Sequence, residues 1–571
     1  MAFDPVLVSS QWLSRCSSAL RNADVKAFAD LFLPGGWLRD ILVFTWDIRA
    51  FEGREKIVTY LADRLPGAEV KDIRLNETPH LAPRVYNMPT STELGVQFAF
   101  TFEFQRGHGR GYARLAPDAD GVYRAFTVLT ELADLRGHEE LSTLPPRDES
   151  VETNPQVIIV GAAQTGLQVA ARFKRMNIPT LVIERNSRVG DNWRQRYPTL
   201  TLNTIRRHHT LLYQPYPSDW PEFTPRDKLA DWLEHYASAQ NLVVWTNSEL
   251  QPRPTYNAAD QRWDVIVVRD GVEVKLRPAH IVLATGTLGR TVVPVVPGME
   301  GFQGRVVHSS RFAGGASFGG QRAVVVGSGN SSIDICEDLA LSGAASVTMV
   351  QRSTTPIVTR DYFCEPYRAS WPEDVLLEVL DFRFVSAGFG LLKKIVIQDQ
   401  AAAWEANKEL YEKLRKGGVS FELGPEGQVV YPSVFERFGG YCSDKGGADL
   451  IADGRIKVKS LVSLQRFTKN SLVLSDGTEL PADVVVFATG YDYIRETNAA
   501  LLGEEVINQT EEVFGLDSEG EIKGSYRPCG HPGLWFATGG FPTSRCLSKP
   551  LALQIKAIEL GMMPNHGIRL G

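Results

Sequence analysis

The chain has 571 residues, of which 43% are hydrophobic and 22% are charged, and its formal net charge is −6 at pH 7. This composition is typical of a globular protein, and the length predicts about three or four domains. The negative charge gives no electrostatic reason to expect a nucleic acid or an anionic membrane as partner. No run of about 18 apolar residues occurs, so no membrane span is expected.

The six cysteines are scattered along the chain and include no C-x-x-C pair. Together with the lack of a signal peptide, this pattern predicts free thiols in a reducing compartment and a cytoplasmic location. It also argues against a disulfide reductase, which needs a closely spaced redox-active pair beside its cofactor. No cluster of metal-ligating residues stands out, so no metal is expected.

Residues 1–145 are predicted to form a small α+β domain, and the proline-rich residues 146–156 are predicted to be a linker. Apolar residues at helical spacing predict one or two helices over 5–33 and a short helix over 53–61. From Val96 onward the pattern changes to the alternation that is typical of half-buried strands.

The order of these elements resembles that of SnoaL-like cone domains, including the pair Trp46-Asp47 before the second helical segment. Such cones can hold a small molecule, and Asp40, Asp47 and His80 are the candidate groups for a cavity. The alternative, which we favour, is that the domain serves packing, shields the main site or forms a homodimer.

The first nucleotide-binding pattern is an apolar run, Val157–Val160, followed by a glycine-rich turn, a helix, a second strand and Glu184. The helix N-terminus offers free N–H groups to a pyrophosphate, and the acid can accept the ribose hydroxyls. The residues predicted to contact this cofactor are Gly161, Ala163, Gln164, Thr165, Gly166 and Glu184.

One residue of this turn departs from the usual fingerprint, because Ala163 stands where the middle glycine is expected. The methyl group predicts a small shift of the phosphate and no loss of binding. Glu184 would repel a 2′-phosphate, so the pattern favours FAD over NADP at this site.

A second glycine-rich turn, Gly327-Ser-Gly-Asn-Ser-Ser332, again stands between a predicted strand and a predicted helix. The strand that follows ends near Arg352, where the first unit has its acid. A guanidinium at this place can bind a 2′-phosphate through two hydrogen bonds, so this turn predicts an NADPH site. The residues predicted to contact NADPH are Gly327, Gly329, Asn330, Ser331, Ser332 and Arg352.

The stretch between the two turns, Phe302-x-Gly304-x-x-x-His308-x-x-x-Phe312, fits the pattern that identifies class B flavin-containing monooxygenases, which this chain resembles. The similar Baeyer–Villiger enzymes end the pattern in Trp followed by Pro or Asp, whereas Phe312 precedes Ala313 here. His308 is a candidate catalytic acid–base. The alternative, which we favour, is that it ties the segment by hydrogen bonds.

The resemblance covers about residues 155–560 and implies an α/β fold with two Rossmann-like domains after the α+β domain. It implies an FAD domain over 157–310 and 485–571, and an NADPH domain over 311–484 with an insertion that caps the substrate. Asn203 matches an asparagine near the reactive edge of the flavin, although it could merely cap a turn. Further cofactor contacts are implied for Asn192, Trp193, Thr489, Gly490 and Tyr491.

The chemistry that the resemblance implies needs only FAD, NADPH, O2 and a small organic substrate. NADPH reduces FAD, O2 adds to the reduced flavin, and a 4a-hydroperoxide transfers oxygen to nitrogen or sulfur. The alternative is oxygenation of a ketone or a 2-oxo acid. The region 483–491 also resembles the plant indole-3-pyruvate monooxygenases.

Overall fold

The computed structural model describes residues 4–89, 93–396, 400–424, 436 and 439–565. Most of the stretch 421–441, which the sequence predicts to be a loop, therefore lies outside the described residues. Among the residues described, no helix is long and apolar enough to cross a membrane.

The N-terminal part of the chain forms four helices and seven strands, as the predicted α+β order requires. They are α1 Pro5–Arg21, α2 Val25–Ala29, β1 Phe32–Ile41, β2 Ile48–Glu52, α3 Arg54–Leu61, α4 Leu65–Ala68, β3 Lys71–Leu75, β4 Arg84–Asn87, β5 Leu94–Phe104, β6 Gly107–Pro117 and β7 Tyr123–Leu135. The carboxylate of Asp4 caps α1 by accepting the N–H of Val6, and Pro5 opens the helix.

The seven strands form one sheet in the order β2-β1-β7-β6-β5-β3, with β4 also paired to β5. In β5, Phe98 and Phe100 are buried and Thr101 is exposed, as the predicted alternation requires, but Ala99 on the other face is buried too. Trp12 of α1 contacts Phe98 edge to face at 5.9 Å, so α1 packs on this side of the sheet. The other side of the sheet faces the rest of the molecule.

The second part of the chain contains a five-stranded parallel sheet in the order β10-β9-β8-β15-β29. The helices and strands between residues 157 and 291 are β8 Val157–Val160, α5 Gln164–Arg175, β9 Thr180–Ile183, α6 Asp191–Arg194, α7 Arg226–Ala239, β10 Val244–Trp245, β11 Ser248–Leu250, β12 Thr255–Asn257, β13 Arg262–Arg269, β14 Val272–Leu276, β15 His280–Leu283 and β16 Leu288–Thr291. Strands β11 to β14 form a separate antiparallel sheet.

A second five-stranded parallel sheet follows in the order β17-β27-β18-β19-β23. The elements from there to the last strand pair are β17 Arg305–His308, β18 Arg322–Val326, α8 Asn330–Leu341, β19 Ser346–Gln351, β20 Thr355–Thr359, α9 Arg360–Ser370, α10 Leu377–Val385, α11 Phe389–Val396, α12 Gln400–Ala406, α13 Lys408–Lys416, β21 Phe421–Glu422, β22 Cys442–Asp444, α14 Gly447–Ala452, β23 Ile456–Ser460, β24 Leu464–Phe467, β25 Ser471–Leu474, β26 Glu479–Pro481 and β27 Val484–Phe487.

The chain then returns to the first parallel sheet. The closing elements are β28 Tyr491–Tyr493, α15 Ile494–Leu502, α16 Glu504–Ile507, β29 Leu534–Phe536 and α17 Phe541–Glu559. The chain passes from the first parallel sheet to the second after β16 and returns before β28. These two strands pair antiparallel with each other.

The strand pairing moves both predicted domain boundaries. Residues 305–308 and 485–487 fall in the FAD domain by the sequence boundaries, but β17 and β27 pair with each other in the second sheet. A parallel strand needs neighbours on its sheet, so both segments are described here with the second sheet. For short, we call the part with the first parallel sheet the first nucleotide unit and the part with the second one the second nucleotide unit.

The N-terminal domain and the first nucleotide unit share one continuous hydrophobic core. Buried ion pairs reinforce the contact, among them Arg39 with Glu521 at 2.6 Å. Two of the three candidate cavity groups were predicted wrongly, because Asp47 forms such an ion pair and His80 is exposed. Asp40 is fully buried, and burial raises its pKa to about 6 although it accepts hydrogen bonds from Tyr60 and Thr130.

Candidate active site

Two glycines of the first turn lie where a side chain has no room. Gly161 has φ of +108°, and an added Cβ there would lie 2.6 Å from the carbonyl oxygen of Ala284. At Gly166 an added Cβ would lie 1.9 Å from the carbonyl oxygen of Gly161. The turn therefore folds back onto the first residues of α5, as a pyrophosphate cradle at a helix N-terminus requires.

Ala163 at the middle position precedes the first residue of α5 with φ −86° and ψ −173°. Its counterpart in the second turn, Gly329, precedes α8 with φ −85° and ψ −173°. This backbone conformation is open to any residue, so the turn itself does not need a glycine here. The substitution leaves the shape of the cradle unchanged, and its effect on the phosphate stays a prediction.

Glu184 directly follows β9, and its side chain lies against the same turn. One carboxylate oxygen accepts the N–H of Ala162 at 2.9 Å, and the other accepts the N–H of Asn186 at 2.9 Å. The acid is thereby held at the carboxyl end of the sheet, which is where doubly wound folds bind nucleotides. Its predicted contact with ribose hydroxyls is compatible with this placement.

A second helix N-terminus meets the first one. Helix α17 begins at Phe541, directly after Gly539-Gly540 and with Pro542 in its first turn. The hydroxyls of Thr165 and Ser544 lie 2.9 Å apart, so the two positive helix ends converge on one anion-binding region.

The residues predicted to lie near the flavin differ in their contacts with this turn. Trp193 donates its indole N–H to Gln164 of the turn at 3.3 Å, whereas Asn192 is exposed. Asn203 is half-buried, and its carbonyl oxygen accepts the thiol of Cys364 at 3.1 Å. Among the residues described, its side-chain amide has no protein partner, so the amide is available to a ligand.

The second turn opens onto a cavity of about 290 Å³. Gly327 has φ of +131°, and an added Cβ there would lie 2.4 Å from the carbonyl oxygen of Ala488. The lining brings together four of the six residues predicted for NADPH, Gly329, Asn330, Ser331 and Ser332, with the predicted cofactor contacts Gly490 and Tyr491. The hydroxyl of Ser332 is buried and has no partner among the described residues, which leaves a donor for a bound group.

Arg352 follows the last residue of β19 at the carboxyl end of the second sheet. Its side chain is exposed, and within the described part of the chain no carboxylate pairs with it. A free guanidinium at this edge is compatible with the predicted binding of a 2′-phosphate.

His308 belongs to the stretch Phe302–Phe312 and is the last residue of β17. It contacts the loop before β28, where the chain passes from the second nucleotide unit to the first. Its Nδ1 accepts the N–H of Ser310 at 3.1 Å, and its Nε2 lies 3.2 Å from the carbonyl oxygen of Gly490. Burial lowers the pKa of this histidine, so the neutral form that donates from Nε2 fits both contacts. In this geometry His308 holds the loop that contains Gly490 by a hydrogen bond.

Sequence reasoning missed an aromatic wall on helix α9 opposite the Asn203 segment. The rings of Tyr367 and His208 lie 4.4 Å apart, and Phe363 contacts Tyr367 at 5.3 Å and Tyr441 at 6.1 Å. All four rings are only half-buried. The four-residue spacing of the aromatic positions in α9 was a usable signal, because it places them on one helix face.

Comparison with known proteins identifies the family to which these features belong. A family model described as FMO-like, flavin-binding monooxygenase-like, matches residues 156–513. Among curated proteins, the chain is 29% identical over 356 residues to indole-3-pyruvate monooxygenase YUCCA1 of Oryza sativa subsp. japonica. The match covers 61% of this chain and 79% of that protein.

Solved structures show the same fold. The open crystal structure of cyclohexanone monooxygenase matches with a TM-score of 0.52 and 17% identity, over 72% of this chain and 88% of that one. An oxidized steroid monooxygenase bound to NADP matches with a TM-score of 0.50 and 19% identity, over 71% of this chain and 85% of that one.

Proposed function

The chain belongs to the flavin-binding monooxygenase-like family, and on that premise we propose that it uses NADPH and O2 to oxygenate a small organic substrate at nitrogen or sulfur. One oxygen atom of O2 enters the substrate, and the other leaves as water while NADPH is oxidised to NADP⁺. The observation that carries the proposal is the pair of glycine turns at parallel-sheet edges, one beside a carboxylate and one beside a free guanidinium.

FAD fits the first turn and NADPH the second. Glu184 suits ribose hydroxyls and disfavours a 2′-phosphate, whereas Arg352 suits that phosphate. The converging N-termini of α5 and α17 supply positive potential for the FAD pyrophosphate and the ring. When bound, the flavin accepts hydride from NADPH and supplies the oxygen-transferring chemistry.

The protein residues in this proposal bind, orient and shield, and none is required as a nucleophile. Asn203 would orient the reactive edge through its free side-chain amide. His308 would hold the loop of Gly490 in place beside the nicotinamide side and would keep its proton. The aromatic wall of α9 would exclude water from the reacting atoms.

The wall also supports the choice of a soft heteroatom as the oxygenated group. It consists of aromatic rings and His208, whose pKa is held well below the usual value by burial and by the nearby Arg545. A neutral, electron-rich substrate fits such a wall without an unpaired buried charge.

The second candidate is decarboxylating oxygenation of a 2-oxo acid, which the names of the curated relatives favour. In that reaction a 2-oxo acid, O2, NADPH and a proton give the shortened acid, CO2, water and NADP⁺. Oxygen insertion into a ketone has weaker support, because Phe312-Ala313 departs from the Baeyer–Villiger pattern.

A substrate screen separates these reactions. Flavin-loaded protein would be mixed with NADPH, O2 and a panel of tertiary amines, thioethers, ketones and 2-oxo acids, and products would be identified by mass spectrometry. We expect N-oxides or sulfoxides, formed with one NADPH consumed per product. Release of CO2 from a 2-oxo acid with no heteroatom product would establish the second candidate and refute the first.

For residues 1–145 we propose a SnoaL-like domain. The support is a seven-stranded sheet in which β1 pairs parallel with β7 and α1 packs on one face. We also propose that residues 157–291 and 488–565 form the FAD-binding part and residues 305–487 the NADPH-binding part, and the strand pairing supports these bounds.

A further inference from the structure

Three parts of the chain enclose a cavity of about 880 Å³ away from both glycine turns. The N-terminal sheet contributes Ile41 and Arg110 from the face opposite α1, and α17 contributes Lys549. Helix α10 and the residues before it close the remaining side. We propose that this cavity is a binding site for a monocarboxylate with an aliphatic body.

The size and the apolar part of the wall suit an aliphatic ligand. A volume of this order lies in the range of sites for organic molecules. The apolar wall is mainly aliphatic, with Phe382 as an aromatic member, and includes Ile41, Leu211, Leu376, Leu377, Val385 and Leu547. A flexible hydrocarbon chain gains free energy when it leaves water for such a wall.

The acids deep in the cavity are already paired. Each has a cationic partner within 3 Å, in the pairs Arg110–Glu131, Arg172–Glu140, Arg545–Asp381 and Lys549–Asp134. Asp374 and Glu378 are exposed, and water solvates them. Paired and solvated acids place no uncompensated negative charge in the interior of the cavity.

Like Arg175, Arg207 is a cation of this wall that lacks a carboxylate partner within the described residues. Its guanidinium donates to the carbonyl of Val375, and its Nε is buried without a hydrogen-bond partner. Burial lowers its pKa, because the charged form is poorly solvated. A carboxylate is the planar group that a guanidinium binds through two hydrogen bonds, and it would supply the missing negative charge.

The exposed acids limit the charge of the ligand. Asp374 and Glu378 would repel a phosphate dianion more strongly than a single carboxylate. The other guanidinium without a carboxylate, Arg175, donates to the carbonyl oxygens of Leu141 and Ser142 and lies 4.1 Å from the centre of the Tyr213 ring. Arg207 has a single carbonyl as acceptor, so it has capacity left for one carboxylate.

Calorimetric titration of the flavin-loaded full-length protein tests the site without turnover. The probes are decanoate and decan-1-ol, which share a chain and differ in charge. We expect wild-type protein to bind decanoate at least tenfold more tightly than decan-1-ol. Arg207→Gln should weaken decanoate binding about tenfold and leave the alcohol unchanged.

A neighbouring arginine provides the matched control, because Arg206 is paired with Glu373 at 3.0 Å. Arg206→Gln should leave decanoate binding as in wild type. Leu377→Trp, which would fill the cavity, should weaken both probes. If Arg207→Gln does not fold, Arg207→Lys keeps the charge and should still weaken decanoate severalfold.

Three results would overturn the site. They are decanoate bound no more tightly than decan-1-ol, an Arg207 variant that binds decanoate like wild type, and a Leu377→Trp variant that binds both probes unchanged. Because no NADPH or O2 is present, these results are independent of the proposed oxygenation.

Discussion

Asp47 and Arg527 form a bidentate ion pair across the boundary between the N-terminal domain and the first nucleotide unit. The Nε and Nη2 atoms of Arg527 donate to the two carboxylate oxygens of Asp47 at 2.7 and 2.8 Å. Each side chain is only 1% exposed, so the pair formed when the two surfaces left water together. The N-terminal domain is therefore fixed on the catalytic part and is not a loosely tethered module.

Removal of one member of this pair should destabilise the docked state. Arg527→Met leaves a buried carboxylate without its cation, which typically costs about 3–5 kcal/mol. The double variant Asp47→Leu with Arg527→Met removes both charges of this pair and should regain part of the loss, because Arg527 also pairs with Asp517 at 3.0 Å. Thermal unfolding, with proteolysis of the 146–156 linker as a second readout, checks this. Equal stability of the single and double variants would contradict it.

The two small residues of the first turn should respond differently to substitution. Gly166→Ala places a methyl group 1.9 Å from the carbonyl oxygen of Gly161, so the purified protein should lose most of its flavin. Ala163→Gly alters a position whose backbone suits any residue and should keep the flavin. Flavin absorbance per mole of folded protein measures both. Full flavin content in Gly166→Ala would refute the assignment of this turn.

Arg352 should determine the choice between NADPH and NADH. Loss of a charge-assisted contact with the 2′-phosphate predicts that Arg352→Ala raises the KM for NADPH roughly tenfold to a hundredfold, with little change for NADH. Arg455→Ala, an exposed arginine of the same unit, should change neither value. Steady-state oxidation of both cofactors gives the four constants. Equal effects of Arg352→Ala on both would exclude the assignment.

His308 should act as a tie and not as a proton donor to substrate. His308→Gln offers an N–H toward the carbonyl of Gly490 and should keep the rate of flavin reduction within a few fold. His308→Leu cannot donate and should slow reduction about tenfold or more. The pH profile of kcat between 5.5 and 8.5 should be the same in wild type and His308→Gln. Loss of an ionisation in the Gln variant would instead indicate acid–base catalysis.

The nucleotide units were predictable because their chemistry depends on local patterns. The position of Glu184 after a strand, and of Arg352 after another, follows from the βαβ repeat, so a single segment of sequence contains the information. The same holds for the alternating phenylalanines of β5. Their burial follows from a period of two along one strand.

The contacts between units were not predictable, because their partners lie far apart in the sequence. Asp47 was a candidate cavity group until Arg527 was seen beside it, and nothing near Asp47 in the chain indicates that partner. The aromatic wall likewise depends on Tyr441 and His208 meeting α9. Ion pairs and aromatic contacts of this kind become visible only when the fold has brought the elements together.

Glu140 connects the end of the N-terminal domain to the first nucleotide unit and should make that contact sensitive to acid. Burial by itself would raise the pKa of Glu140, but Arg172 and Lys549 lower it to about 2. Because the pKa is lower in the folded state, the stabilisation is complete above about pH 4.5 and is lost as the pH falls toward 2. A shift of this size corresponds to about 3 kcal/mol.

The pH dependence of unfolding tests this assignment. Between pH 5 and pH 3 the wild-type protein should lose stability more steeply than Glu140→Gln, whose curve should lack this titration. Glu149→Gln, at an exposed linker position, should follow the wild-type curve. Asp40 acts in the opposite direction, because its raised pKa costs stability as the pH rises from about 4 to 6. A Glu140→Gln curve parallel to wild type below pH 4.5 would show that the carboxylate does not stabilise this contact.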